Sequence, residues 1–185
     1  MAFVIGIAGG SASGKSTLAG ILEQRLGDLR LGVLHMDDYF KSDAERPVAA
    51  SPVNGRKYLD DNHPLSLDLP GFAADLQRMK AGEYDVIIAE GLMVLWDDAI
   101  CDMVDLKLFV DCRSDERIVR RLRRNMAWGL SFDEIADVYV DLVRFRHDEY
   151  VENSKWRADL IINGTKRSEQ TIAMIEAAAR AAIMK

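Results

Sequence analysis

The chain has 185 residues, 49% of them hydrophobic and 29% charged, with a formal net charge of −6. That composition fits a soluble globular protein of one domain. The acidic balance excludes a general nucleic-acid binder, and no apolar run is long enough to span a bilayer.

Cys101 and Cys112 lack metal-ligand spacing and suggest a reducing compartment. Met1 leads straight into the first expected element, leaving no room for a signal peptide, so the expected location is the cytoplasm. An assembly of identical chains stays open.

Residues 3–8, Phe3-Val4-Ile5-Gly6-Ile7-Ala8, form a short apolar, β-branched run and read as a buried strand. Gly9-Gly10-Ser11-Ala12-Ser13-Gly14-Lys15-Ser16-Thr17 follows and fits G-x-x-x-x-G-K-[ST]. Small residues let backbone N–H groups curl around phosphate oxygens, and the following helix points its positive end at the same anion. Lys15 is placed to reach the β- and γ-phosphates and Ser16 to hold Mg²⁺. The motif therefore predicts a nucleoside triphosphate site.

Leu18, Ile21, Leu22 and Leu26 recur at helical spacing and predict a helix over 15–27. Residues 31–36 read as a second strand, ending in Asp37-Asp38. Residues 42–64 are rich in Pro, Ser, Asn, Asp and Gly and read as a long loop, which in a compact domain is usually functional. A helix is expected over 67–82, a third strand over 84–89 ending in Glu90-Gly91, and a short crossover over 92–102. A fourth strand over 106–110 leads to an arginine-rich helix over 114–126.

Ser131-Phe132-Asp133-Glu134 is a capping-box signature, opening a helix with Ile135, Val138, Leu142 and Phe145 on one face. Residues 158–162 read as a fifth strand and 168–184 as a closing helix. This alternation predicts a mostly parallel sheet covered on both faces. Ligands of such sheets bind at the carboxyl ends of the strands, so the P-loop, Asp37/Asp38, Glu90-Gly91, Asp111 and Asn163-Gly164 should converge.

Asp37 or Asp38, just past the second strand, can accept a proton from an attacking hydroxyl or hold Mg²⁺ through water; an Asp pair also forms turns and caps. Glu90 stands where P-loop enzymes keep a metal-linked acid, although Glu-Gly also ends strands as a plain turn. Arg117, Arg120, Arg121 and Arg124 share one helix face, with Ile118, Val119, Leu122 and Met126 opposite. Such a row can clamp a transferring phosphate or simply be a solvated basic face. His35 reads as packed, His63 and His147 as candidates for substrate contact, the methionines as core filler, and Trp128-Gly129 as a hinge or lid tip.

Taken together, the P-loop, Asp37-Asp38-Tyr39-Phe40-Lys41, Glu90-Gly91, the arginine helix and Lys155-x-x-Ala158-Asp159-x-Ile161-Ile162 resemble the uridine kinase-like family of P-loop kinases. The resemblance runs from Ile5 to Gly164. It implies an α/β P-loop NTPase fold, with a five-stranded parallel sheet and a small arginine-bearing lid over about 115–131, and an acceptor-site loop over about 38–66. It implies ATP and Mg²⁺ and a small hydroxyl acceptor such as a nucleoside. By the same resemblance Asp37 is the catalytic base, Glu90 a metal-site acid and Arg121 and Arg124 lid arginines. Asp60-Asp61-Asn62-His63-Pro64 resembles the family's N-F-D-H-P, in which the third residue holds the ribose hydroxyls; Asn62 stands there, so Asp61 or Asn62 takes that role. Tyr58, Asp61 and His63 are the expected acceptor contacts.

Three departures bear on the acceptor. Uridine kinases insert a base-contacting hairpin between the helix after H-P and the E-G strand, whereas residues 80–85 run directly into that strand. The family's R-G-R after the lid helix is Trp128-Gly129-Leu130, and its proline before the lysine is Asn153. A kinase of nicotinamide riboside, pantothenate or a sugar is the nearer alternative. A P-loop switch acting on a protein partner is the more distant one; the chain has no N-K-x-D and no D-x-x-G after the third strand.

Overall fold

The structure, a computed structural model, describes residues 1–184. Its centre is a five-stranded sheet in the order β2-β5-β1-β6-β7. The strands are β1 (Phe3–Gly9), β2 (Leu31–His35), β5 (Val86–Glu90), β6 (Leu106–Asp111) and β7 (Leu160–Asn163), and every pairing among them is parallel. β3 (Val48–Ala50) and β4 (Lys57–Leu59) form a separate antiparallel hairpin.

β1 and β5 lie inside the sheet with both faces covered, so they read as continuous apolar runs rather than alternating ones. One layer packs Ile5, Ile7, Ile88 and Val110 against Leu18 and Leu22 of α1 (Lys15–Arg25) and Ile172 and Ile175 of the last helix. The other packs Val4, Ala8, Ile87 and Phe109 against Phe72 and Leu76 of α2 (Leu69–Ala81) and against Met93, Leu95 and Ile100 of the crossover. That crossover contains α3 (Asp98–Cys101), capped by the Asp97 carboxylate at Ile100 N, 3.0 Å. The register sets Ile7 beside Glu90 and His35 beside Glu90, so the ends of three strands meet at one level.

α4 (Ser114–Ala127) carries the arginines. α5 (Phe132–Val138) opens with the expected capping box, Ser131 N donating to Glu134 Oε2 at 2.8 Å. It continues through a π-helical turn (Tyr139–Val143), the short α6 (Arg144–Arg146), a second π-helical turn (His147–Val151) and a 3₁₀ segment (Glu152–Arg157). α7 (Glu169–Ile183) closes the chain, capped by Ser168.

Two expectations change, and the open reading of the arginine row is resolved. The long loop over 42–64 contains the β3–β4 hairpin, whose three-residue strands are too short to show a period. The buried face of the helix after Ser131 is Ile135, Tyr139, Asp141, Leu142, Val143, His147 and Val151, because the π turns shift the 3.6-residue phase; Val138 and Phe145 are only partly covered. On α4 the arginine side faces inward, with Arg117 4% exposed, while Val119 and Met126 are exposed. Residues 82–85 join α2 to β5 directly, as read.

Candidate active site

A cleft of about 940 Å³ runs along the carboxyl ends of the strands. Its head is the P-loop, where Gly14 takes φ +108° and Ala12 φ +61°. Both angles lie in the left-handed region, and they turn the backbone sharply into α1. Lys15 points into the cleft, with Nζ only 3.5 Å from Gly10 O. Burial lowers the Lys15 ammonium's pKa, while Glu90 and Asp37 pull it back up.

Ser16 donates to Glu90 Oε1 at 3.1 Å, and His35 Nδ1 lies 2.9 Å from the same oxygen. Glu90 is 4% exposed. His35, read as packed, is therefore a neighbour of this acid, because a strand-end side chain of β2 faces the adjacent end of β5. Asp37 leaves β2 on a 3₁₀ turn and lines the cleft, whereas Asp38 lines a separate depression with Tyr39 and Ser42. One turn of backbone thus distinguishes the two carboxylates that composition could not.

All four arginines of α4's inner face meet the P-loop region, each in a different way. Arg121 Nη1 and Arg124 Nη2 donate to Ser11 Oγ at 3.0 and 3.4 Å. Arg120 Nη1 donates to Gly164 O at 2.9 Å and Ser13 O at 3.3 Å, joining the end of β7 to the P-loop. Arg117 Nε donates to Cys112 O at 3.1 Å, and its Nη1, with His147 Cε1, occupies the space a side chain at Gly10 would need. Burial lowers the pKa of the Arg121 and Arg124 guanidinium groups; the Asp37 carboxylate opposes this for Arg124. Arg124 also lies 4.9 Å from the centroid of Trp128.

Among the described residues Arg121 Nε is buried with no hydrogen-bond partner. Buried polar groups are nearly always paired, so this donor, the loosely held Lys15 and the P-loop turn fit a polyphosphate. Ser16 Oγ and Glu90 Oε1 are hard oxygen donors of the kind Mg²⁺ takes when phosphate supplies the remainder. At the far end of the head, Asn163, Gly164, Thr165 and Arg167 line the cleft. The sequence marks Arg167 only as a basic residue soon after a strand end.

The other half of the cleft is walled by Leu59, Asp61 and Asn62 on one side and by Ile135, Val138 and Leu142 on the other. Asp61 is drawn to Arg46 at 2.9 Å, while Asn62 is 6% exposed. Tyr58 and His63 are not among the lining residues. Tyr58 Oη donates to Asp141 Oδ2 at 2.6 Å, and His63 Nδ1 accepts from Leu65 N at 3.1 Å, its ring edge-on to Tyr150. His147 sits behind the P-loop, 3.1 Å from Glu152 Oε2. Asp111 lies at the β6–β7 edge, where its carbonyl accepts from Gly164 N at 2.6 Å.

A family model described as phosphoribulokinase/uridine kinase matches residues 48–171. The chain belongs to the phosphoribulokinase/uridine kinase family. It is a P-loop kinase, passing phosphate from ATP to a hydroxyl acceptor. A uridine kinase of Bacillus cereus is 33% identical over 86% of this kinase and 84% of its own length. One of Chloroflexus aggregans is 33% identical over 97% and 95%.

Solved structures of other proteins share the fold. Phosphoribulokinase from Rhodobacter spheroides superposes with a TM-score of 0.65 at 12% identity, over 89% of this kinase and 73% of that chain. A Bacillus stearothermophilus protein described as a possible uridine kinase gives 0.61 at 21% identity, over 86% and 88%. No helix among the described residues is long and apolar enough to cross a membrane.

Proposed function

We propose that this kinase transfers the γ-phosphate of ATP to the 5′-hydroxyl of a nucleoside of the uridine or cytidine type, in the cytoplasm, as one P-loop domain. The observation that carries this reading is the placing of Asp37 in the cleft near Lys15 and Arg124, with Asp38 turned away. The uridine kinases at 33% identity support the acceptor class.

ATP lies along residues 9–17, its adenosine toward Asn163, Gly164 and Arg167. Ser16 and Glu90, together with phosphate, would hold Mg²⁺, which would supply neutralising charge to the transferring group. Lys15 binds the β- and γ-phosphates. Asp37 orients the acceptor hydroxyl and takes its proton as the oxygen attacks the γ-phosphorus in line, the bond to the β-phosphate oxygen breaks and ADP leaves. Arg121 and Arg124, which meet at Ser11 Oγ, stabilise the phosphoryl charge. Residues 115–131 act as a lid that excludes water and so limits ATP hydrolysis.

Asn62 is the better placed of the two ribose candidates, being buried in the cleft wall while Asp61 pairs with Arg46. The acceptor panel to assay by ADP release is uridine, cytidine, nicotinamide riboside, pantothenate and simple sugars. A nucleoside should give the highest kcat/KM, and Asp37→Asn should cost at least about 10²-fold in kcat with ATP affinity retained. Near-normal turnover by Asp37→Asn removes the assigned base. A non-nucleoside giving the highest kcat/KM replaces the acceptor, and hydrolysis stimulated only by a protein partner replaces the kinase reading with a switch.

A further inference from the structure

The β3–β4 hairpin is tied directly to the helix that also supplies Ile135, Val138 and Leu142 to the cleft lining. Asp141 Oδ2 accepts from Tyr58 Oη at 2.6 Å and from Asn54 Nδ2 at 2.7 Å, and Arg56 Nη1 pairs with Asp137 Oδ2 at 2.7 Å. Asp141 is 6% exposed, so its charge is largely withdrawn from water and depends on these two donors. It sits inside the first π-helical turn, a helical form that recurs at functional sites. One step further, Asp60 is fully buried and accepts from Arg146 Nε at 2.7 Å.

Two carboxylates therefore join the same two walls. Leu59, next to Tyr58, and Asn62, two residues past Asp60, line one side; Ile135, Val138 and Leu142, from the helix bearing Asp137 and Asp141, line the other. The ties therefore fix the two lining segments relative to each other.

We infer that Asp141 is a positioning residue that clamps the hairpin, through Tyr58 and Asn54, and thereby sets affinity for the phosphate acceptor. The inference rests on reading this half of the cleft as the acceptor site. It also reassigns Tyr58, which acts through Asp141 rather than by touching the acceptor.

Asp141→Ala removes the shared oxygen, whereas Asp141→Asn keeps a carbonyl that can accept from both donors. Two readouts test the clamp. The first is trypsin cleavage after Arg56 and Lys57 in the hairpin, which needs no substrate. The second is the KM for the best acceptor of the panel beside the KM for ATP.

Asp141→Ala should speed cleavage and raise acceptor KM, each by about tenfold, with ATP KM within twofold. Asp141→Asn should restore both, and Tyr58→Phe, which stays folded if Asp141→Ala does not, should fall between. Unchanged cleavage overturns the clamp. Faster cleavage with unchanged acceptor KM, or a matching rise in ATP KM, overturns its role in acceptor affinity. If the wild type phosphorylates no member of the panel, the functional reading has failed and acceptor affinity falls with it, while the cleavage ratio still decides the clamp.

Discussion

Ser16 reaches Glu90 across 74 positions of sequence, its hydroxyl donating to Glu90 Oε1 at 3.1 Å. The contact exists because β1 and β5 pair in parallel with Ile7 beside Glu90, so the P-loop leaving one strand passes the acid ending the other. Glu90→Gln keeps an acceptor for Ser16 and removes the charge. The Mg²⁺ concentration for half-maximal activity should rise by about tenfold or more, with thermal stability unchanged. An unaltered Mg²⁺ titration shows that Glu90 has no part in holding the metal.

Arg120 and Arg124 are one turn apart and do different work. Arg120 is bonded to two backbone carbonyls, Ser13 O and Gly164 O, whereas Arg124 shares the Ser11 hydroxyl with Arg121. Arg124→Ala should lower kcat by about 10²-fold while ATP affinity holds. Arg120→Ala should weaken ATP binding and cost about 1–3 kcal/mol of stability, because it strands carbonyls that it now satisfies. Identical profiles for the two variants in steady-state kinetics and thermal melts contradict this division.

Gly91 follows Glu90, and a Cβ there would lie 2.2 Å from Met36 Cβ. Met36 is fully buried and directly precedes Asp37. Gly91→Ala should cost about 1–3 kcal/mol in chemical unfolding and lower kcat more than ATP affinity. Gly20, within α1, has nothing within 4 Å of its Cβ position. Gly20→Ala should stabilise the protein by about 0.5–1 kcal/mol, which makes it the matched control.

His147 confers a pH dependence on stability. Burial and the nearby Arg117 push its imidazole pKa below the ordinary value, with Glu152 opposing. The unfolded chain therefore binds this proton more readily than the folded one. The stabilising contribution is complete above about pH 6.5 and is lost as pH falls through 6.5 toward the folded pKa. Asp85, held down to about 2 by its hydrogen bonds from Arg30, loses its contribution only in more acid solution. In melts from pH 7 to pH 5, His147→Gln should flatten the decline in Tm. Equal slopes in the two proteins assign the decline elsewhere.

Local pattern was enough for the donor half of this kinase. The P-loop is a contiguous motif on a strand–helix junction, so Lys15 and Ser16 are readable without any partner. The parallel sheet follows from apolar runs alternating with amphipathic helices, and the arginine face of α4 from a period of three and four. The convergence of Asp37, Glu90 and Gly164 follows from the rule that strand ends of one sheet share an edge. Each of these depends on residues near one another in sequence, or on a rule that applies to every strand alike.

Pairings between distant polar residues depended on the tertiary structure. Tyr58 and Asp141 are 83 positions apart, and neither sequence neighbourhood marks the other as a partner. Nothing local separates Asp37 from Asp38, yet a single turn of backbone sends the first into the cleft and the second to a separate depression; Asp61 and Asn62 both line the cleft, and only Asp61 pairs with Arg46. The π-helical turns have no local signature either, and by shifting the helix phase they decide which side chains meet the hairpin. Sequence alone determined a P-loop, its sheet and the class of reaction. Only the packing of hairpin against helix decided the part of the cleft lined by Leu59 and Leu142, because it is built from long-range contacts whose specificity is geometric rather than periodic.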